Sequence, residues 1–298
     1  MKLQIENLKL DSSKIKTDEE SLKYYGKDWT TYYDIHSSAI LFPSSTTDVV
    51  EIVKWARTYK IALVPSGGRT GLSGAACATK GEVIVSFEKM NRILEFNETD
   101  GTVVIEPGVI TEELQEFAKK NGYYYPVDFA ARGSSQMGGN IATNAGGIKV
   151  VRYGMTREWV VGLEVVTGTG EILHLNNGLA KNATGYDLRH LFIGSEGTLG
   201  FITKATMKFA AQQPPVKVLV MALDQMSSVM KVYSHFKKNC NMQAYEMFSE
   251  KALGYVIEAT HLPRPFETVA EFYVVCELEC PDTTTEEKIM TAFEHGME

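Results

Sequence analysis

Apolar residues recur along this chain with two periods, and each change of period marks the end of an element. In "PSSTTDVVEIVKWARTYK" the residues Val49, Ile52, Val53 and Ala56 fall at helical spacing, and Ser45/Thr46 supplies a helix start. The apolar run "IALVP" follows and predicts a short strand leading into a glycine-rich loop. Three β-rich runs come next: "EVIVSF", "ILEFN" and "TVVIEPGV". The last two are joined by "ETDG", whose Asp100-Gly101 pair predicts a hairpin. "TEELQEFAKKNG" predicts a helix with Thr111 as its N-cap and Gly122 as its stop. "LEVVTGTGEILHL" reads as a second hairpin, "DLRHLF" as a short helix and "LGFITKATMKF" as a strand.

The pattern changes near "AAQQPPVK", where Pro214-Pro215 reads as a linker. Beyond it stand a strand, "VKVLVMAL", two helical stretches, "SSVMKVYSHFKKN" and "AYEMFSEKALGYVIEAT", and a strand, "AEFYVVCELEC". That order predicts a β-α-α-β unit. A helix-like tail, "TTTEEKIMTAFEHGME", follows with no closing strands. The second unit therefore looks unfinished, as in a truncated chain or a naturally short subunit. The expected division is an N-terminal segment 1–40, a main domain 41–212 and an incomplete unit 216–298.

Composition narrows the classes. The chain has 298 residues, 44% of them hydrophobic, a formal charge of −7 and no low-complexity tract. No basic face for nucleic acid is expected; the densest basic spots, "FKKN" and "AKKN", read as helix ends where cations suit the dipole. Cys77, Cys240, Cys276 and Cys280 are too unevenly spaced for a disulfide framework and fit reduced thiols. None of the six histidines pairs with another at metal-ligand spacing, so no metal site is expected. The start, "MKLQIENLKLDSSKIKTDEE", lacks the apolar segment of a secretory signal. No apolar run reaches membrane-spanning length. The expectation is a cytoplasmic protein, with peripheral docking at the inner membrane left open.

Glycine changes the picture most. "VPSGGRTGLSG" (64–74), "GSSQMGGNIATNAGG" (133–147) and "GSEGTLG" (194–200) carry four, five and three of the chain's 25 glycines. Glycine costs backbone entropy on folding, so such clustering calls for positive φ or close approach of a ligand. The dinucleotide fingerprint G-x-G-x-x-G is absent: the one G-x-G, Gly168/Gly170, has Leu173 in third place. A Walker loop is absent too, since Gly26-Lys27 is followed by Asp28 and preceded by Ser21 at the first glycine position. Glycine-rich turns can still present backbone N–H groups to a diphosphate.

Taken in order, "PSGGRTGLSG", "PVDFAARGSSQMGGNIATNAGGIKVVRYG" and "LFIGSEGTLGFIT" resemble the FAD-binding domain of the FAD-linked oxidases related to vanillyl-alcohol oxidase, the PCMH-type domain. Within that superfamily they are most similar to the D-2-hydroxyacid dehydrogenases of D-lactate, glycolate and D-2-hydroxyglutarate, roughly from Leu41 to Phe209. The resemblance implies an α+β chain: a PCMH-type domain of two α/β subdomains, followed by the start of an α+β cap over the substrate. It implies non-covalent FAD, because Arg69 stands where covalent relatives carry histidine. In the first loop it implies Pro65, Ser66, Gly67, Gly68, Arg69, Thr70, Gly71 and Leu72 around the diphosphate. In the second it implies Ser134, Gly138, Gly139, Asn140, Thr143, Asn144, Gly146 and Gly147, although asparagine also suits left-handed turns. In the third it implies Glu196, Gly197 and, packing nearby, Ile202. "RYG" (Arg152–Gly154) either braces the second loop or touches ligand.

The implied reaction is oxidation of a 2-hydroxy acid to the 2-oxo acid with hydride transfer to flavin N5. The implied second partner is an electron acceptor: a quinone, a cytochrome or an electron-transfer flavoprotein. In these dehydrogenases the histidine motif and substrate arginine lie downstream of residue 298, so no catalytic residue is named and zinc would belong only to a longer form. A homodimer or a completing subunit stays open. Two rivals stay open as well: a UDP-N-acetylenolpyruvoylglucosamine reductase-like flavoenzyme, and a flavin-carrying electron-transfer subunit.

Overall fold

The computed structural model describes residues 4–176, 179 and 181–296. The chain divides into two compact units. The first combines the residues up to Tyr125 with Phe129–Ala145 and Met155–Ala211; the second combines Pro126–Asp128, Gly146–Gly154 and the residues from Gln212 on. Among the described residues no helix is long and apolar enough to cross a membrane.

The first unit holds the three glycine runs almost entirely. Its helix Thr46–Tyr59 starts where Ser45 accepts a hydrogen bond from the Asp48 N–H, and ends at Lys60 in the left-handed conformation. Val49, Ile52, Val53 and Ala56 are buried, together with Ala39, Val83 and Val85. Each such aliphatic chain withdrawn from water contributes about 1.5–3 kcal/mol, alanine less. Ser45→Ala removes the cap and is expected to cost about 1 kcal/mol. Urea unfolding checks this as a lower midpoint at unchanged slope; an unchanged midpoint would mean that the cap contributes nothing.

That helix packs by a sheet with spatial order Ile15–Lys16, Ala39–Leu41, Val83–Ser86, Leu63–Ser66. The last three strands are parallel. Ala39–Leu41 and Val83–Ser86 are buried throughout, which is why they read as apolar runs rather than alternations. Ser66 and Ser86 are register partners at the strand ends, and the first glycine loop leaves from there. The other sheet is antiparallel, in the order Ile93–Asn97, Thr102–Ile105, Gly200–Lys208, Val160–Thr167, Ile172–Leu175. Both expected hairpins form within it; Asn97 pairs with Thr102 around Gly101 at φ 59°.

One helix start differs. Ile110, not Thr111, is the N-cap of Thr111–Lys120, with the Glu113 carboxylate accepting from its N–H at 3.3 Å. Thr111 is fully buried and its hydroxyl lies 2.7 Å from that of Ser135. The hydroxyl that would cap the helix is taken by the segment that precedes the second glycine helix.

The second unit carries an antiparallel sheet in the order Val216–Leu223, Phe272–Glu279, Met242–Ser249, with helices Met226–Asn239, Glu250–Thr260 and Thr283–Gly296. The order is therefore β-α-β-α-β-α. "AYEMFS", expected as helix, is strand: it pairs with Phe272–Glu279 over nearly its whole length. The helix begins only after Ser249, whose hydroxyl accepts from the Ala252 N–H. Ladder pairing decides such a segment over its own propensity. Buried polar groups cross the same sheet, with Lys149 3.1 Å from Glu277 and 3.2 Å from Gln243. Arg152 of "RYG" bonds Glu279 at 3.0 Å and so braces this unit. Cys276 is fully buried in the sheet, and burial pushes its thiol up to about 12.

Candidate functional site

A cleft in the first unit is walled by all three glycine runs. Pro65 to Gly71 form its first wall, Gly138, Gly139, Asn140 and Thr143 its second, and Glu196, Gly197 and Ile202 its third. Five of the expected residues do not line it. Leu72 points outward at 71% exposure. Ser134 lies beneath the first loop, and Asn144 lies behind the wall, bonded to Arg157. Gly146 and Gly147 belong to the second unit, where Gly147 rests on the Asp128 carbonyl.

The glycines divide into two kinds. A Cβ on Gly68 would lie 2.1 Å from the Ser134 carbonyl oxygen, and one on Gly138 2.6 Å from the Pro107 ring. One on Gly197, at φ 78°, would lie 2.3 Å from the Pro65 ring. These three are glycine because protein atoms touch them. A Cβ on Gly139 would meet nothing within 4 Å, and one on Gly67 only ordinary contacts from 3.6 Å. Nothing among the described residues requires those two to be bare, and both line the cleft.

Asp28 closes the first loop and was not among the expected site residues. Its carboxylate accepts from the N–H of Gly74 at 2.8 Å, from that of Thr30 at 2.8 Å and from the Cys77 thiol at 3.4 Å. Burial raises the carboxyl, but these donors outweigh it and hold Asp28 below the usual carboxylate range. A lone aspartate in "GKDW" carries no local signal of this role.

Arg69 sits at φ 58°, a position that costs a non-glycine residue about 1–3 kcal/mol. Its guanidinium stacks 4.6 Å from the Tyr24 ring centre and 4.7 Å from that of Tyr25. It is a rim cation held by aromatic faces. Asn140 is 5% exposed and turns its amide N–H inward to the Thr111 hydroxyl at 2.6 Å. The Glu196 side chain is exposed, and its backbone, at φ 50°, donates to the Ala142 carbonyl at 2.9 Å. This loop is pinned through its main chain rather than through the Glu196 carboxylate.

Two cleft-lining groups keep hydrogen-bonding capacity. Ser66 Oγ and Gln136 Oε1 are buried and have no partner among the described residues. Buried polar groups are nearly always paired, so a polar ligand in front of them accounts for both.

A family model for an FAD binding domain matches residues 37–176. The D-2-hydroxyglutarate dehydrogenase of Stutzerimonas stutzeri is 54% identical over 97% of this chain and 62% of that protein. The mitochondrial D-2-hydroxyglutarate dehydrogenase of Arabidopsis thaliana is 36% identical over 95% of this chain and 51% of that protein. The chain thus spans about half to three fifths of these curated relatives. Among solved structures, p-cresol methylhydroxylase with substrate bound superposes with a TM-score of 0.76 at 17% identity, over 96% of this chain and 62% of the other. An alkyldihydroxyacetonephosphate synthase superposes with a TM-score of 0.80 at 21% identity, over 99% and 58%. Those two likenesses establish the α+β fold.

Proposed function

We propose that this chain, a member of the FAD-linked oxidase superfamily on its D-2-hydroxyacid dehydrogenase branch with FAD as the cofactor of its PCMH-type domain, serves the oxidation of a D-2-hydroxy acid to the 2-oxo acid. Within that class D-2-hydroxyglutarate is the substrate we favour, on the strength of the relatives' names. Residues 41–212 form the cofactor domain in this reading, and 216–298 the beginning of the substrate-side cap. The observation that carries it is the cleft: three glycine-rich walls, bare where only a ligand explains bareness, around two unpartnered polar groups.

The residues present fit FAD. The Ser66 hydroxyl and Gln136 carbonyl offer hydrogen bonds to its polar groups, Gly67 and Gly139 allow it close to the main chain, and Arg69 supplies rim positive charge. FAD, when bound, supplies the two-electron acceptor for the substrate carbinol; an external electron acceptor is the second substrate. Asp28, the buried carboxylate of the cleft, is committed to three donors and takes no part in proton transfer. No catalytic base is assigned among the described residues.

The first test is an absorbance spectrum of the purified chain, with the chromophore then released by acid. Bound flavin near one per chain, freely released, is expected; a colourless chain that takes up no added FAD sinks the cofactor assignment. Anaerobic addition of D-2-hydroxyglutarate, D-lactate and glycolate then reads the substrate. Flavin that none of them bleaches removes the proposed activity.

Gly139→Ala separates ligand space from protein packing. The helix Met137–Ala142 accepts alanine, which favours helix by about 0.5–1 kcal/mol over glycine. Stability is expected to hold or rise while FAD affinity falls about tenfold or more, as a methyl group enters the cleft. Equal affinity in a flavin-fluorescence titration would mean that FAD does not pass over this glycine.

A further inference from the structure

The third wall of the cleft needs an external hold. Gly194, Glu196 and Gly197 all have positive φ, at 85°, 50° and 78°. A segment this contorted persists only where its surroundings over-determine it. Two main-chain bonds tie it to the second wall: Gly194 N–H to the Ile141 carbonyl at 3.1 Å and Glu196 N–H to the Ala142 carbonyl at 2.9 Å. The third tie is a side chain that lines nothing.

The guanidinium of Arg157 donates to the Ile193 carbonyl at 2.7 Å and to the His190 carbonyl at 3.2 Å. A Cβ on Gly194 would lie 3.4 Å from its Nη2, so the side chain runs directly beneath the loop. Its own N–H donates to Asn144 Oδ1 at 2.9 Å, and Asn144 is the left-handed residue that ends the second wall. One residue thus grips the ends of two walls. We infer that Arg157 is a positioning residue for the cofactor cleft, held in place by His190 as its hydrogen-bond acceptor; this rests on the FAD reading above.

His190 enters through its ring. Arg157 Nη1 lies 2.8 Å from His190 Nδ1. A guanidinium has donors only, so Nδ1 must accept and the ring proton resides on Nε2. Nε2 lies 3.4 Å from Asp187 Oδ2. Asp187 is itself clasped by Arg189 through contacts of 2.8 and 2.5 Å. Among the described residues the charged groups around the ring are Arg157, Asp187 and Arg189, and the ring's part in the clasp is to accept from Arg157 at Nδ1.

The test titrates FAD into the full chain by flavin fluorescence. It uses the wild type, Arg157→Lys, Arg157→Ala, His190→Phe, which offers Arg157 no acceptor, and His190→Asn, in which asparagine Oδ1 replaces Nδ1. Arg157→Lys and Arg157→Ala are expected to bind about tenfold more weakly. His190→Phe is expected to weaken binding severalfold, and His190→Asn to restore it. Amide exchange of Gly194–Gly197 without flavin should quicken in both Arg157 variants. Unchanged affinity and exchange in both overturn the inference, and wild-type affinity in His190→Phe overturns its histidine part. A wild type that takes no FAD, with exchange still quickened in the variants, removes the cofactor reading and leaves the loop clasp standing.

Discussion

Gly68→Ala is expected to cost about 1–3 kcal/mol of stability and to weaken FAD binding at least about tenfold. The added Cβ would lie 2.1 Å from the Ser134 carbonyl oxygen and 2.9 Å from the Ser135 Cα. Both are main-chain atoms, so no rotamer change can make room. Either the first loop or the segment before the second wall must move, and both carry the cleft. Paired denaturant unfolding and flavin titration check it, with Gly139→Ala as the partner measurement. The two alanines should separate: one destabilises the chain and weakens the cofactor, the other weakens the cofactor alone. A Gly68→Ala chain with wild-type stability and affinity would mean that this contact does not shape the loop.

Asp28→Ala is expected to have an effect of similar size through a different cause. It leaves the half-buried N–H groups of Gly74 and Thr30 without their acceptor, at about 1 kcal/mol for each donor orphaned. Asp28→Asn gives the pH signature. Because the folded-state carboxyl lies below its ordinary value, its contribution is complete above about pH 4 and is lost as pH falls through the lower, folded-state value. Wild type should therefore exceed Asp28→Asn in stability by a constant margin near neutrality. The two curves should converge in acid, below about pH 4. Urea midpoints taken across that range decide it; a margin that persists in strong acid would place the stabilisation elsewhere.

Much of this site was legible before any fold was known. The three glycine runs marked the walls because a bare position shows in the sequence whatever demands it, φ at Gly197 or contact with a distant segment at Gly68 and Gly138. The strand "IALVP", the Asp100-Gly101 hairpin and the Ser45 cap were legible because each depends on a few adjacent residues. The misreadings share an opposite cause. "AYEMFS" has no helix or strand identity until Phe272–Glu279 lies beside it. Thr111 looks like a cap until Ser135, 24 residues away, takes its hydroxyl.

The sequence by itself determined where the main chain had to bend and be bare, and so which three loops could share a ligand. Only the tertiary structure decided which side chains hold those loops. Asp28 meets Gly74 across 46 residues, and Arg157 meets His190 across 33. Arg69, at the rim of the cleft, is held by two tyrosine faces. Backbone conformation is written in neighbouring residues, whereas a hydrogen bond or stacked charge depends on which distant groups the fold brings within about 3–6 Å.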